Sequence, residues 1–183
     1  MRIVVTEFLS LDGVMGDPHW TFQFARGEVG DRFKWEELFD AQALLLGRVT
    51  YVGFAAAWPS MGGDDFGKRM NSIPKYVVSS LLQDSDATWG QTTVLRGDAA
   101  TEVGRLKQQP GGTLLVEGSA QLVQLLTQHG LVDEYRLMVF PVVLGAGKRL
   151  FPTEMPQAVS LTLTESTTAG AGVLLLRYQA LNA

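Results

Sequence analysis

The chain has 183 residues, of which 46% are hydrophobic and 19% charged, an ordinary globular composition that can build one sizeable core. Its 15 lysines and arginines face 19 aspartates and glutamates without a basic block, which argues against a nucleic-acid partner. Cysteine is absent, so disulfide and thiolate chemistry are excluded, and we expect a cytoplasmic protein. No apolar run reaches the length of a membrane span, so residues 1–183 are predicted to form one domain without a membrane segment.

Apolar, β-prone runs of strand length recur along the whole chain. They predict eight strands, at Arg2–Leu9, Ala43–Leu46, Lys75–Ser79, Thr92–Leu95, Leu114–Val116, Tyr135–Leu144, Val159–Thr164 and Val173–Leu181. Two stretches, Asp17–Gly30 and Ser60–Ser72, are rich in glycine and polar residues and are interpreted as loops.

Four helices are predicted between these strands. The first is capped by Asp31 and carries Trp35, Leu38 and Phe39 on one face. The second runs from Gly47 to about Ala57, and the third is capped by Asp98. The fourth carries Leu122, Leu125 and Leu126 and stops at Gly130. The aromatic side chains of these helices are predicted to lie in the core. Strands and helices alternate until Leu126, and strands alone follow, which predicts an α/β fold: a mostly parallel sheet with helices on both faces and an antiparallel C-terminal addition.

Two strand-to-helix turns have suitable chemistry for binding an anion. Gly47-Arg48-Val49-Thr50 offers backbone N–H groups, a hydroxyl and a guanidinium, and Gly118-Ser119-Ala120-Gln121 offers the same without the charge. The common phosphate motifs are absent: Gly145-Ala146-Gly147-Lys148 has Val142 where a P-loop needs its first glycine, and Leu150 breaks G-x-G-x-x-G. The alternative interpretation is that the glycines make tight turns, Arg48 pairs with a surface carboxylate and the serines cap helices.

Five short motifs occur along the chain in one order. They are SLDG at residues 10–13, LLLGRVTY at 44–51, EGSAQL at 117–122, LVDEY at 131–135 and PVVLGAGKRLF at 141–151. Together they resemble the C-terminal reductase domain of bifunctional riboflavin-biosynthesis deaminase/reductases, which shares its fold with dihydrofolate reductase. The resemblance implies a three-layer fold with a mixed sheet of about eight strands.

The resemblance also implies an enzyme, an NADPH-dependent reductase. Hydride would pass from nicotinamide to a C=N or C=O carbon of a small polar heterocycle, as in the reduction of 5-amino-6-(5-phosphoribosylamino)uracil in riboflavin biosynthesis. The resembled domains pair at the antiparallel end of the sheet, so a homodimer is expected. The Asp17–Gly30 segment would be a mobile loop covering nicotinamide and substrate, although a loop pinned by its aromatic residues explains the sequence equally well.

Site residues follow from the same resemblance. The expected cofactor-binding residues are Gly13, Val14, Gly47, Arg48, Thr50, Ser79, Ser80, Gly118, Ser119, Ala120 and Gln121, with Ser79 and Ser80 at the 2′-phosphate that distinguishes NADPH from NADH. The expected substrate-binding residues are Thr6, Ser10, Asp12 and Trp20.

Asp12 is the candidate for catalysis. An acid at the end of the first strand could hold a heterocycle or relay a proton, but Asp12-Gly13 is also an ordinary turn pair. Glu7 faces either a neighbour or the cleft, and Glu117 is interpreted as a brace for the Gly118 turn. No metal site is predicted, because neither histidine lies near a second cluster of ligand-type residues.

Two departures from the bifunctional enzymes affect the expected substrate. The chain has no deaminase domain, and Asp17–Gly30 does not match the family's substrate-binding stretch after SLDG. A stand-alone member with another substrate, including a dihydrofolate reductase-like enzyme of another pathway, is therefore as consistent with the sequence as the riboflavin reductase. A non-catalytic nucleotide- or flavin-binding module on the same fold is a further alternative.

Overall fold

The computed structural model of the chain describes residues 1–152 and 154–181, and it centres on one eight-stranded sheet in the order β4-β3-β2-β5-β1-β6-β8-β7. The strands are β1 (Arg2–Ser10), β2 (Ala41–Gly47), β3 (Lys75–Val78), β4 (Thr92–Leu95), β5 (Thr113–Glu117), β6 (Glu134–Phe140), β7 (Leu161–Thr168) and β8 (Leu174–Ala180). The first six strands in the sheet order, from β4 at the edge to β6, run parallel to one another. The strand β8 runs antiparallel to β6, and β7 runs antiparallel to β8. The predicted fold class is confirmed.

Helices cover both faces of this sheet. They are α1 (Gly27–Asp40), α2 (Arg48–Ala57), α3 (Asp65–Ser72), α4 (Ala99–Gln108) and α5 (Ala120–Gln128). On one face, α4 and α5 pack Val103, Leu122 and Leu126 against the buried side chains of β1 and β5. On the other face, Leu38 of α1, Tyr51 of α2 and Met70 of α3 contribute to a second cluster, so two apolar layers enclose the sheet.

The prediction of a loop at Ser60–Ser72 is wrong for its second half, because Asp65–Ser72 form the helix α3. The Asp64 carboxylate accepts a hydrogen bond from the Gly67 amide at 2.7 Å, the usual arrangement of an N-cap. The predicted start of the first helix at Asp31 is also wrong, because α1 begins at Gly27. Asp31 lies inside the helix and accepts a hydrogen bond from Arg26 Nε at 2.6 Å.

Two further expectations need correction. The sixth strand ends at Phe140 instead of Leu144, because Pro141 has no N–H to continue the hydrogen-bonded ladder. Trp35 and Phe39 are 40% and 39% exposed, and their rings stack on each other with centroids 4.2 Å apart, so they are surface residues instead of core.

Within residues 1–152 and 154–181, no helix combines the length and apolar character needed to cross a membrane.

Candidate functional site

The two strand-to-helix turns predicted to bind an anion lie against each other at the carboxyl edge of the parallel strands. The Gly47 amide donates a hydrogen bond to Ser119 Oγ at 2.9 Å, and Thr50 Oγ1 lies 2.7 Å from the same oxygen. Because α2 begins at Arg48 and α5 at Ala120, two helix N-termini converge on one point. Each brings unpaired N–H groups and a positive dipole end, so the point between them favours an anion.

The close approach of the two turns requires small residues. A Cβ on Gly47 would lie 2.7 Å from Ser119 Oγ, and one on Gly118 would lie 3.0 Å from Thr50 Cγ2. Gly118 also has a φ of +67°, and Ser119, which is not a glycine, has a φ of +66°. A non-glycine residue held in the left-handed region is strained, and such strain is commonly found at ligand-binding turns.

Arg48 and the end of β3 lie beside this pair of turns. Gly47 pairs with Val78 in the sheet, so Ser79 and Ser80 follow immediately alongside. A cavity of about 450 Å³ opens here, lined by Arg48, Tyr51, Val52, Ala55, Leu81, Leu82 and Asp86. Within the described residues Arg48 has no ion-pair partner, so the alternative interpretation of a surface pair is not what the structure shows. Ser79 Oγ accepts from the Leu81 and Leu82 amides at 3.1 and 3.0 Å.

Asp12 closes the turn that follows β6. Its carboxylate accepts hydrogen bonds from Ser10 Oγ at 2.7 Å, the Leu144 amide at 3.1 Å and the Gly145 amide at 2.9 Å. These bonds, the Ser10 hydroxyl first, lower the pKa of Asp12 to about 2. A general acid works best with a pKa near the working pH, so the proton-relay role stays a prediction that this environment does not favour.

The segment after β1 is tied to the same region of the chain. Gly13 has a φ of +82°, Val14 donates its amide to Ser10 Oγ at 2.9 Å, and Val14 bridges to Arg149. Arg149 also hydrogen-bonds the Asp12 carbonyl. Four predicted residues, Ser10, Asp12, Gly13 and Val14, therefore form one cluster with the glycine turn at 144–147.

Thr6 belongs to a buried ionic cluster that the sequence did not reveal. Lys34 on α1 pairs with Glu37 and with Glu117, whose Oε1 lies 3.0 Å from Nζ. Thr6 Oγ1 donates to Glu37 Oε1 at 2.8 Å and lies 3.3 Å from Lys34 Nζ. Burial opposes the charge of Lys34, but the adjacent Glu117 and Glu37 prevail and raise its pKa. Glu117 thus connects α1 to the turn at Gly118.

Trp20, predicted to contact substrate, packs at the exit of β1. Its ring meets Phe140 edge-on with centroids 5.5 Å apart, and its Nε1 donates to the Gly16 carbonyl at 3.2 Å. Phe140 is the sheet partner of Ser10. Residues Pro18–Gln23 form a 3₁₀ turn, and a lid role for this segment stays a prediction.

The described ranges hold no cluster of three or more histidine, aspartate or glutamate side chains arranged to bind a metal ion.

Comparison with known proteins identifies the family. Residues 2–175 match the model of the RibD C-terminal domain. The chain belongs to the RibD C-terminal domain family. It is 35% identical over 185 residues to the uncharacterized protein YyaP of Bacillus subtilis (strain 168), covering 97% of this chain and 94% of YyaP.

Solved structures share the fold of this RibD C-terminal domain protein. A putative riboflavin biosynthesis protein from Shewanella sp. PV-4 superposes with a TM-score of 0.78 at 19% identity, covering 98% of this chain and 99% of the other. Dihydrofolate reductase from Enterococcus faecalis, in a complex with NADP(H), superposes with a TM-score of 0.60 at 13% identity, covering 98% of this chain and 96% of the other. The resemblance stated from the motifs is confirmed at the level of family and fold.

Proposed function

We propose that this protein is an NADPH-dependent reductase acting on a small polar heterocycle. The observation that carries the proposal is the contact between the Gly47–Thr50 and Gly118–Ser119 turns, where two helix N-termini meet without intervening bulky side chains. This arrangement suits a diphosphate, because its negative charge matches both helix ends. Membership of the RibD C-terminal domain family supports a nicotinamide cofactor in this position.

The proposed cofactor contacts follow the sheet edge. Gly47, Thr50, Gly118 and Ser119 would hold the diphosphate, together with the first residues of α5, Ala120 and Gln121. Arg48, Ser79 and Ser80 would bind the 2′-phosphate of the adenosine, and Gly13 and Val14 would line the nicotinamide. The cofactor would supply hydride to a C=N or C=O carbon.

The proposed substrate lies near the exit of β1, where Ser10, Asp12 and Trp20 are located, whereas the fourth expected contact, Thr6, lies further back in the same strand. Asp12 is ionised at neutral pH, so in this role it would accept hydrogen bonds from substrate N–H or O–H groups. A ribosylated aminopyrimidine, as in riboflavin biosynthesis, is one substrate of this kind, and a related heterocycle of another pathway is the alternative. We place this chemistry in the cytoplasm, with the protein acting as a homodimer.

Titration of nicotinamide fluorescence tests the cofactor. We expect NADPH to bind more tightly than NADH, because Arg48 can form a charged hydrogen bond to the 2′-phosphate. Arg48→Ala should weaken NADPH binding by about 1.5–3 kcal/mol and leave NADH binding nearly unchanged. Arg105→Ala is a matched control, since Arg105 is an exposed residue of α4 paired with Glu102. Equal affinity for both cofactors that Arg48→Ala leaves unchanged would contradict the assignment.

Turnover separates the enzyme from a binding module. NADPH oxidation in the presence of a panel of carbonyl and imine compounds would support a reductase. Tight NADPH binding without oxidation of any compound in a broad panel would support a non-catalytic module.

A further inference from the structure

Glu7 is a buried carboxyl group that forms no ion pair with any residue of 1–152 or 154–181. It lies in β1 beside Val5 and Leu9, the core residues of the same strand face, and only 7% of its surface is exposed. Its Oε1 has no hydrogen-bond partner among the described residues. The cation whose charge acts on Glu7, Lys34, is already bound to Glu37 and Glu117. Glu7 therefore lacks the pairing that normally keeps a buried carboxylate ionised.

The surroundings of Glu7 favour its neutral form. Burial raises its pKa well above the ordinary value, and the negative charges of Glu117 and Glu37 raise it further. Lys34 and the Gly118 amide act in the opposite direction but do not outweigh the burial. Glu117 lies on the neighbouring strand β5, the Gly118 amide lies in the turn that follows β5, and Lys34 and Glu37 lie on α1.

Glu7 lies close to the Gly118–Ser119 turn that precedes α5. The Gly118 amide is close enough to influence the Glu7 carboxyl, and Glu117 pairs with Thr6, the residue next to Glu7. The strand order β2-β5-β1 places Glu7 on the side of the Gly118–Ser119 turn opposite to Arg48. In the binding mode proposed above, with the adenosine beside Arg48 and the diphosphate on the turns, the rest of the cofactor extends towards β1, where Glu7 lies.

We propose that Glu7 is a further cofactor-binding residue, whose carboxyl O–H donates a hydrogen bond to an acceptor oxygen of the cofactor between β5 and β1. The proposal rests on the function proposed above. A carboxylic acid can donate such a bond, whereas a carboxylate cannot and would also repel the diphosphate. Cofactor affinity should therefore fall as rising pH ionises Glu7.

NADPH titrations of wild type, Glu7→Gln and Glu117→Gln from about pH 6 to about pH 9 test this link. For the wild type, Kd should rise by up to about tenfold per pH unit above the midpoint, the limit for one linked proton. Glu7→Gln keeps the shape of the side chain and a hydrogen-bond donor but cannot ionise. Its Kd for NADPH should therefore change by less than about twofold over the same pH range. Ionisation of the cofactor's own phosphate affects both proteins equally and cancels in their ratio.

Glu117→Gln is the matched control. Removing the Glu117 charge leaves Glu7 in place but removes a group that raises its pKa, so the loss of affinity should remain and begin at a lower pH. A pH dependence that is the same in wild type and Glu7→Gln would overturn the proposal. Absence of NADPH binding to the wild type at every pH would instead refute the proposed function, and this inference with it.

Calorimetry of the wild type provides a measurement that does not depend on a folded variant. NADPH binding in two buffers of different ionisation enthalpy should show proton uptake that grows towards one proton as the pH rises above the midpoint of the wild-type Kd curve. Binding without proton uptake above that midpoint would overturn the proposal.

Discussion

Asp12 and Glu7 are two carboxyl groups of one strand and its exit, yet their surroundings shift their pKa values in opposite directions. The Ser10 hydroxyl and two backbone amides surround Asp12 and stabilise its charge, whereas burial without a partner destabilises the charge of Glu7. Pairs of acids separated in this way commonly divide the tasks of a polar site between an ionised and a protonated group. The sequence could not distinguish them, because the partners of each acid lie far along the chain.

Asp12→Asn should destabilise the turn at 144–147. The folded-state pKa of about 2 lies below the unfolded value of 3.8, so Asp12 stabilises the fold above about pH 4, and this contribution is lost as pH falls through 2. We expect a lower Tm for the variant at pH 7 and a smaller difference from the wild type near pH 3, measured by thermal melts.

Asp17→Asn is the control for Asp12→Asn, because Asp17 is exposed and pairs only with His19 among the described ion pairs. A variant at Asp12 that melts like the wild type at pH 7 would show that the carboxylate does not anchor this turn. If NADPH oxidation is established, a normal rate in the folded Asp12→Asn protein would also refute its catalytic role.

At the scale of elements, α3 depends on its N-cap. Asp64→Ala removes the acceptor of the Gly67 amide, so we expect a loss of about 1 kcal/mol in the free energy of unfolding, measured by urea denaturation. Asp65→Ala is the matched control, since Asp65 forms only an exposed pair with Lys68, and such pairs contribute little. Equal effects of the two substitutions would contradict the capping role.

The strands were predictable because their apolar runs are short and continuous, as in Leu114–Val116 and Ala43–Leu46, whose buried residues form adjacent strands. The helix α3 was not predictable, because its sequence contains a glycine and several charged residues, and Met70 is its one large buried side chain among the described residues. Gly67 is a close-contact position, where a Cβ would lie 2.0 Å from the Met61 carbonyl oxygen. A glycine that packing requires cannot be distinguished in sequence from one that marks a loop.

The two strand-to-helix turns at Gly47 and Gly118 were located from sequence, and anion binding there is proposed, whereas the ionic cluster of Lys34, Glu37 and Glu117 was not found. Lys34 and Glu37 lie three residues apart, a spacing that is common for ion pairs on exposed helix surfaces, so the sequence does not indicate that they are buried. Their burial is a property of tertiary structure, because only the pairing of β1 with β5 brings Thr6 and Glu117 to the same place.

At the scale of the whole molecule, the antiparallel end of the sheet remains incompletely covered. Leu163 of β7 and Leu174 of β8 are 49% and 41% exposed, and β7 is an edge strand. Such an edge is usually protected or paired, so we propose that a second copy covers it. Light scattering should give a mass twice the chain's 20.0 kDa.

Leu163→Glu should shift the dimer towards monomer, because it places a charge in the proposed interface. Met61→Glu is the control, since Met61 is also exposed but lies in the connection before α3. A wild-type mass near 20.0 kDa at micromolar concentration would rule out the dimer.

The central position of β1 also determines when the chain can fold during its synthesis. Both sheet neighbours of β1 are encoded far downstream, at Thr113–Glu117 and Glu134–Phe140. At about 5–20 residues per second, the ribosome needs roughly 5–20 s to make the intervening hundred or so residues. Throughout that interval Val4 and Val5, which are fully buried in the native protein, have no strand on either side. Among the strands of this sheet, β1 therefore waits longest for its partners, and nascent chains that stop before Phe140 should depend on chaperones to avoid aggregation.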